Sequence, residues 1–127
     1  MITTSQTLVD GPKNLVILLN AFCDDGVNEI GVVKVDVSEV VPSTRRVRIC
    51  EISGNVNWGV VTLAWSDTPD RPFLVLEGQI DYCFEEYGDL HNIPAEPGNG
   101  NGDIILTTSG FDVGSNYSLF IRMAKQQ

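Results

Sequence analysis

The sequence is short of the groups that do chemistry. Its 127 residues include one histidine, His91, and three cysteines, Cys23, Cys50 and Cys83. A Ser-His-acid hydrolase needs an imidazole to take the nucleophile's proton. A lone histidine in the loop segment Asp89-Leu90-His91-Asn92 reads instead as a solvated side chain. Zinc needs three or four converging His, Cys or carboxylate ligands. Cysteines that are scattered, odd in number and without C-x-x-C spacing read as small buried hydrophobes, although Cys50 and Cys83 could face each other across strands. No apolar run approaches the roughly 20 residues that span a bilayer, so no membrane partner is expected. The opening Met-Ile-Thr-Thr lacks the basic and apolar regions of a secretory signal, which makes cytoplasmic synthesis the expectation.

Positive charge is scarce as well. Eight Lys and Arg face 17 Asp and Glu, for a net charge of −9. Between Arg71 and Arg122 there is no Lys or Arg, while Glu77, Asp81, Glu85, Glu86, Asp89, Glu96, Asp103 and Asp112 fall in that span. Such a surface repels phosphate and argues against nucleic-acid binding. The cations gather in Arg45-Arg46-Val47-Arg48 and at Arg122 and Lys125. An electrically two-sided chain would suit docking onto a charged partner; it would equally suit plain solubility.

Carboxylates are plentiful, but nothing in their spacing sets up acid–base work. Glu77, Asp81, Glu85 and Glu86 read as the solvated face of a strand rather than a glycosidase pair. Asp24-Asp25-Gly26 and Asn99-Gly100-Asn101-Gly102-Asp103 offer oxygen ligands, yet they lack the EF-hand pattern and read as turns. The glycine-rich loop leads into a strand and carries no lysine, so it cradles no phosphate. No cofactor, metal or catalytic residue is expected.

What is present is strand pattern. Met1 to Lys13 reads as an N-terminal arm or short edge strand closed by Asp10-Gly11-Pro12, ahead of a domain over 14–127. Asn14 to Phe22 is a short apolar run that reads as a buried strand. Gly31 to Val40 alternates, with Val33, Val35 and Val37 on one face and Val32, Lys34 and Asp36 on the other. Arg46 to Ile52 and Trp58 to Trp65 read as two strands separated by a turn at Ser53-Gly54-Asn55. Phe73 to Leu76 is a strand interrupted at Gly78, after which Ile80, Tyr82 and Phe84 share a face. Gly88 to Gly102 is one long irregular stretch of the kind that tends to be functional. Asp103 to Thr108 is expected to form a closing hairpin with Tyr117 to Ala124, in which Tyr117, Leu119, Ile121 and Met123 point inward and Phe120 outward. About eight short strands, with no amphipathic helix, predict an all-β, single-domain antiparallel β-sandwich, jelly-roll-like. The candidate partner-contact residues are Leu8, Val9, Arg45, Arg46, Arg48, Asp89, His91, Asn99, Asn101, Phe120 and Arg122.

Four segments resemble a group of small bacteriophage virion proteins encoded with the head genes. They are Thr7-Leu8-Val9-Asp10-Gly11-Pro12; Leu63-Ala64-Trp65-Ser66-Asp67-Thr68-Pro69-Asp70-Arg71-Pro72; Gly78-Gln79-Ile80-Asp81-Tyr82-Cys83 with Tyr87-Gly88-Asp89-Leu90; and Gly102-Asp103-Ile104-Ile105-Leu106-Thr107-Thr108 with Gly110, Gly114 and Tyr117. The resemblance implies a capsid decoration, or cement, protein. It would be made in the host cytoplasm, assemble with itself as a trimer or dimer, and bind the major capsid protein on the capsid surface of the virion. The ending Met123-Ala124-Lys125-Gln126-Gln127 departs from the basic tail of the group, so no contact by such a tail is carried over. Two alternatives remain. One is a head–tail adaptor. The other is a virion-displayed module that binds host surface or carbohydrate through exposed aromatics such as Trp58, Tyr87 or Phe111, whereas Trp58 and Trp65 could instead be core.

Overall fold

Alternation of apolar and polar residues builds most of this protein. The computed structural model describes residues 1–40, 46–67, 69–91 and 102–126. Its strands are β1 (Ile2–Asp10), β2 (Asn14–Phe22), β3 (Val32–Val35), β4 (Arg46–Trp65), β5 (Arg71–Cys83), β6 (Leu90–His91), β7 (Ile104–Ser109) and β8 (Asn116–Gln126), with a short 3-10 turn at Glu85–Tyr87. All pairings among them are antiparallel and belong to one sheet.

The spine is β4, 20 residues long. Its first part lies between β8 on one side and β5 and β6 on the other. Its last part, Val60–Trp65, has β7 where β8 was, while β5 continues on the other side. Beyond β8 come β2 and β1; beyond β7 comes β3. The two branches fold over each other because β4 and β5 bend together. Register jumps there from Val56↔Gly78 to Val61↔Leu76. At the bend Trp58 has φ 61° and Gly78 has φ 70°. The result is an antiparallel sandwich that nearly closes into a barrel around one core.

That core takes the inward residues of both branches. Leu15, Ile17, Leu19, Ile49, Ile52, Leu63, Leu76, Ile104, Leu106, Leu119, Ile121 and Met123 are all buried. Tyr117 is 2% exposed at the end of the β8 row, against Phe111. Trp65 stacks on Phe73, with ring centroids 4.2 Å apart.

Three expectations fail, each for a local reason. Ser53-Gly54-Asn55 is no turn: Gly54 continues β4 with φ 141°, and a Cβ there would lie 1.9 Å from the Ser118 carbonyl oxygen. Glycine is required by this close approach of β8, not by a reversal. The closing hairpin also fails, since β7 pairs with β3 and β4 whereas β8 pairs with β2 and β4. Residues 110–115 form an arch that carries the chain from one branch to the other. Lys34 does not point outward with the polar face of β3. It is the extra residue of a bulge between Val33 and Val35, and its side chain is 8% exposed. A bulge re-aims a side chain in this way.

Candidate functional site

Among the described residues the sheet is not fully closed, and an opening lies between the unpaired edges of β1 and β3. A cleft of about 260 Å³ there is floored by Leu15, Ile17, Val35 and Val40 and rimmed by Ser5, Thr7, Asp10, Lys34, Asp36 and Glu39. All nine residues of β1 are exposed. The strand bonds to β2 along its length, with a bulge at Leu8 between Thr7 and Val9. Its other edge has no strand beside it among the described residues. From Ile2 to Val9 it carries neither charge nor proline. Natural edge strands are usually blunted by those devices, and here they are missing.

One wall of the cleft is held by a buried ionic cluster that the sequence reading missed. The Lys34 Nζ donates to Glu29 Oε2 at 2.7 Å, and the Tyr117 hydroxyl donates to Glu29 Oε1 at 2.7 Å. The Glu29 backbone is clamped too. Its N–H donates to Thr108 Oγ1 at 2.9 Å, and its carbonyl accepts from the Thr108 N–H at 2.9 Å. Burial, reinforced by the Glu29 carboxylate, pushes the Tyr117 phenol far above its ordinary value. At the other end of the cleft, Lys125 Nζ donates to Asp10 Oδ1 at 2.5 Å. The bulge that aims Lys34 inward leaves no mark in a period-two pattern.

The sequence-based contact residues divide into four groups. Leu8 and Val9 are on β1, 45% and 46% exposed. Arg48, Asp89, His91 and Arg122 are brought together across β4, β6 and β8. Arg48 Nε is 2.8 Å from Asp89 Oδ2, an ion pair without the N–H alignment of a hydrogen bond. His91 is opposite Arg48 in register, and its Nε2 is 2.7 Å from the Gly88 carbonyl. Arg122 bonds Glu85 at 2.6 Å and approaches Glu51 at 3.5 Å. The bond to Glu85 raises the guanidinium's pKa further. These arginines answer their own chain's carboxylates, so docking by charge through them would have to exchange one pair for another. Arg45, Asn99, Asn101 and the side chain of Arg46 lie outside the described residues, as does most of the Gly88–Gly102 stretch; Leu90–His91 within it is a strand rather than a loop. Phe120 is half-buried on the outer face, opposite Leu18 and Ser53.

Other expectations can be placed in the same way. Cys23 and Cys50 are buried, but Cys83 is exposed; it pairs in register with Glu51 rather than Cys50, and all three thiols are free. Asp24 and Asp25 hold the Met1 amino group, at 3.1 and 2.7 Å. Among the described residues no cluster of three or more His, Cys, Asp or Glu could hold a metal ion. Phe111 is buried, whereas Trp58 and Tyr87 are 77% and 82% exposed. Tyr82 shares the face of the buried Ile80, opposite the buried Ile52, but is 43% exposed there and stacks on Phe84. The chain matches no protein-family model, and no curated protein is similar to it.

Proposed function

We propose that this protein is a bacteriophage virion structural component, a capsid decoration protein that binds the outer capsid by strand addition and stabilises it. The observation that carries the reading is the β1 edge. Nine exposed residues, uncharged up to Asp10, border a cleft with a partly apolar floor. An extended segment of the major capsid protein, or of a neighbouring copy, would pair with that edge through main-chain hydrogen bonds. Its alternate side chains would enter the cleft. Binding of this kind needs shape and backbone complementarity and no chemistry. The sequence resemblance to head-encoded phage proteins supports placing the partner on a capsid.

The test is binding of the purified protein to expanded empty shells, read by co-sedimentation, together with a copy count per virion by quantitative gel. Hundreds of copies are expected. A handful would point to a head–tail adaptor, and no binding would sink the reading. A double variant, Thr3→Lys with Ser5→Lys, puts charge on the face of β1 that looks into the cleft and should weaken shell binding at least tenfold while the protein stays folded. Unchanged binding by that variant would remove β1 from the mechanism.

A further inference from the structure

The register of the sheet assembles a surface that no single stretch of sequence displays. On the outer face, Thr4 is opposite Asn20, Asn20 opposite Ser118, Ser118 opposite Asn55, and Asn55 opposite Gln79. One row of hydrogen-bonding side chains thus crosses five strands, about 19 Å at the usual strand spacing. Ser118 Oγ donates to Asn20 Oδ1 at 2.7 Å. The next row toward the bend runs Ile2, Phe22, Asn116 and Asn57, and Asn57 Nδ2 donates to Asn116 Oδ1 at 3.0 Å. Neither row contains a charged residue, in a chain of net charge −9.

Aromatic rings stand at this strip. Phe22 is 50% exposed and Trp58, at its corner, 77% exposed. Trp58 is also one of two non-glycine residues at positive φ among those described, at 61°. A bulky residue in that region is a genuine backbone outlier, and burial does not explain this one. It is held in place: the Ser115 hydroxyl donates to its carbonyl at 2.6 Å, and its ring lies against Gly114. Strained residues that the surroundings fix in this way cluster at functional sites.

We infer that this face is a binding strip for a neutral oligosaccharide. Primary amides and hydroxyls both donate and accept, as sugar hydroxyls do. Flat aromatic rings offer apolar area to the C–H faces of pyranoses at low entropic cost. The lack of charge selects against acidic glycans and phosphate. The strip starts on β1, at Thr4 and Ile2, but lies on the face of the sheet opposite the cleft that Ser5 and Thr7 rim, and it does not depend on the capsid reading.

The experiment is saturation-transfer NMR and calorimetry on the full chain with cellopentaose, laminaripentaose, maltopentaose and mannopentaose, and a heparin hexasaccharide as the charged control. At least one neutral pentasaccharide should bind and heparin should not. Trp58→Ala and Ser118→Asp should each weaken that binding at least tenfold, with the thermal midpoint held within a few degrees, and Trp58→Tyr should recover most of it. Both sites are exposed, so folding survives these changes. Shell binding by Trp58→Ala should be unchanged, which separates failure here from failure of the capsid reading. The inference is overturned if no neutral sugar binds, if heparin binds as well, if both variants bind like the parent, or if Trp58→Ala loses shell binding instead.

Discussion

Replacing Lys34 by Met should destabilise this protein far more than removal of a surface lysine does. The lysine and its partner Glu29 have side chains 8% and 9% exposed. Each oxygen of the Glu29 carboxylate has a donor, Lys34 on one and Tyr117 on the other. Without the ammonium, the carboxylate stays buried with one oxygen unanswered. Breaking one side of a buried pair costs about 3–5 kcal/mol, against about 5–15 kcal/mol for the whole stability of a domain. At about 4 °C per kcal/mol for a chain of this size, the midpoint should fall by about 12–20 °C. Tyr117→Phe removes one hydrogen bond to a charged acceptor and should cost about 1.5–3 kcal/mol. The decisive comparison is the double variant Glu29→Leu with Lys34→Met. It leaves no uncompensated charge, and buried pairs replaced together are often neutral, so it should be more stable than either single variant. Urea unfolding followed by the fluorescence of Trp65, stacked on Phe73, would measure the parent, both single variants, the double variant and Tyr117→Phe. If Lys34→Met costs less than about 1 kcal/mol, the pair behaves as an exposed one and water in the adjoining cleft solvates it. If the double variant equals the sum of the singles, the coupling argument fails.

Four more outcomes follow from the same structure. The Tyr117 phenol is raised from its ordinary 10.0 by burial and by Glu29. A group with a raised folded-state pKa contributes stability that is intact below the unfolded value, so stability should decline above about pH 10, by up to 1.4 kcal/mol per pH unit; in Tyr117→Phe that share of the alkaline slope should vanish. Gly54→Ala should fail to fold or lose more than about 4 kcal/mol, because its Cβ would meet the backbone of β8 1.9 Å away; a soluble variant with a near-parental midpoint would show that β8 can move. Trp58→Gly should be neutral or stabilising by up to about 1.5 kcal/mol, since relief of positive φ is worth about 1–2 kcal/mol and the extra freedom of glycine when unfolded takes back about 0.5–1 kcal/mol; a clear loss on calorimetry would mean the indole stabilises the arch. Native protein should react with a thiol reagent at Cys83 alone, because Cys23 and Cys50 are buried and burial also raises the Cys50 thiol pKa; fast modification of a second thiol would contradict the packing.

Strand existence was legible in this sequence wherever one face is buried. The run 14–22 could be read because it is apolar almost throughout and is bounded by turn residues, and the inward set Tyr117, Leu119, Ile121 and Met123 because burial alternates there without interruption. The pattern says nothing, however, about which strand lies beside which. A hairpin and an arch give identical alternation on both arms, so Ile104–Ser109 and Asn116–Gln126 looked like partners while β4 separates the roles of their neighbours. Bulges hide in the same way. Lys34 and Cys50 each sit at a register shift, and one extra residue is enough to turn a polar side chain toward the core. Glycine misled for a related reason. Ser53-Gly54-Asn55 reads as a chain reversal, whereas the actual demand on Gly54 is the approach of β8. The candidate surfaces were less legible still, because they are made by register. Thr4, Asn20, Asn55, Gln79 and Ser118 are unremarkable polar residues spread over most of the chain, and only the pairing of β1, β2, β8, β4 and β5 puts them in one row. Trp58 is the exception in principle. A tryptophan followed directly by glycine, with asparagine before it, sits in sequence company typical of a bend, and a bend on the surface is a place where an aromatic is displayed rather than packed. Its exposure is legible from Asn57-Trp58-Gly59, where local backbone chemistry decides between a displayed and a packed tryptophan and residue type alone does not.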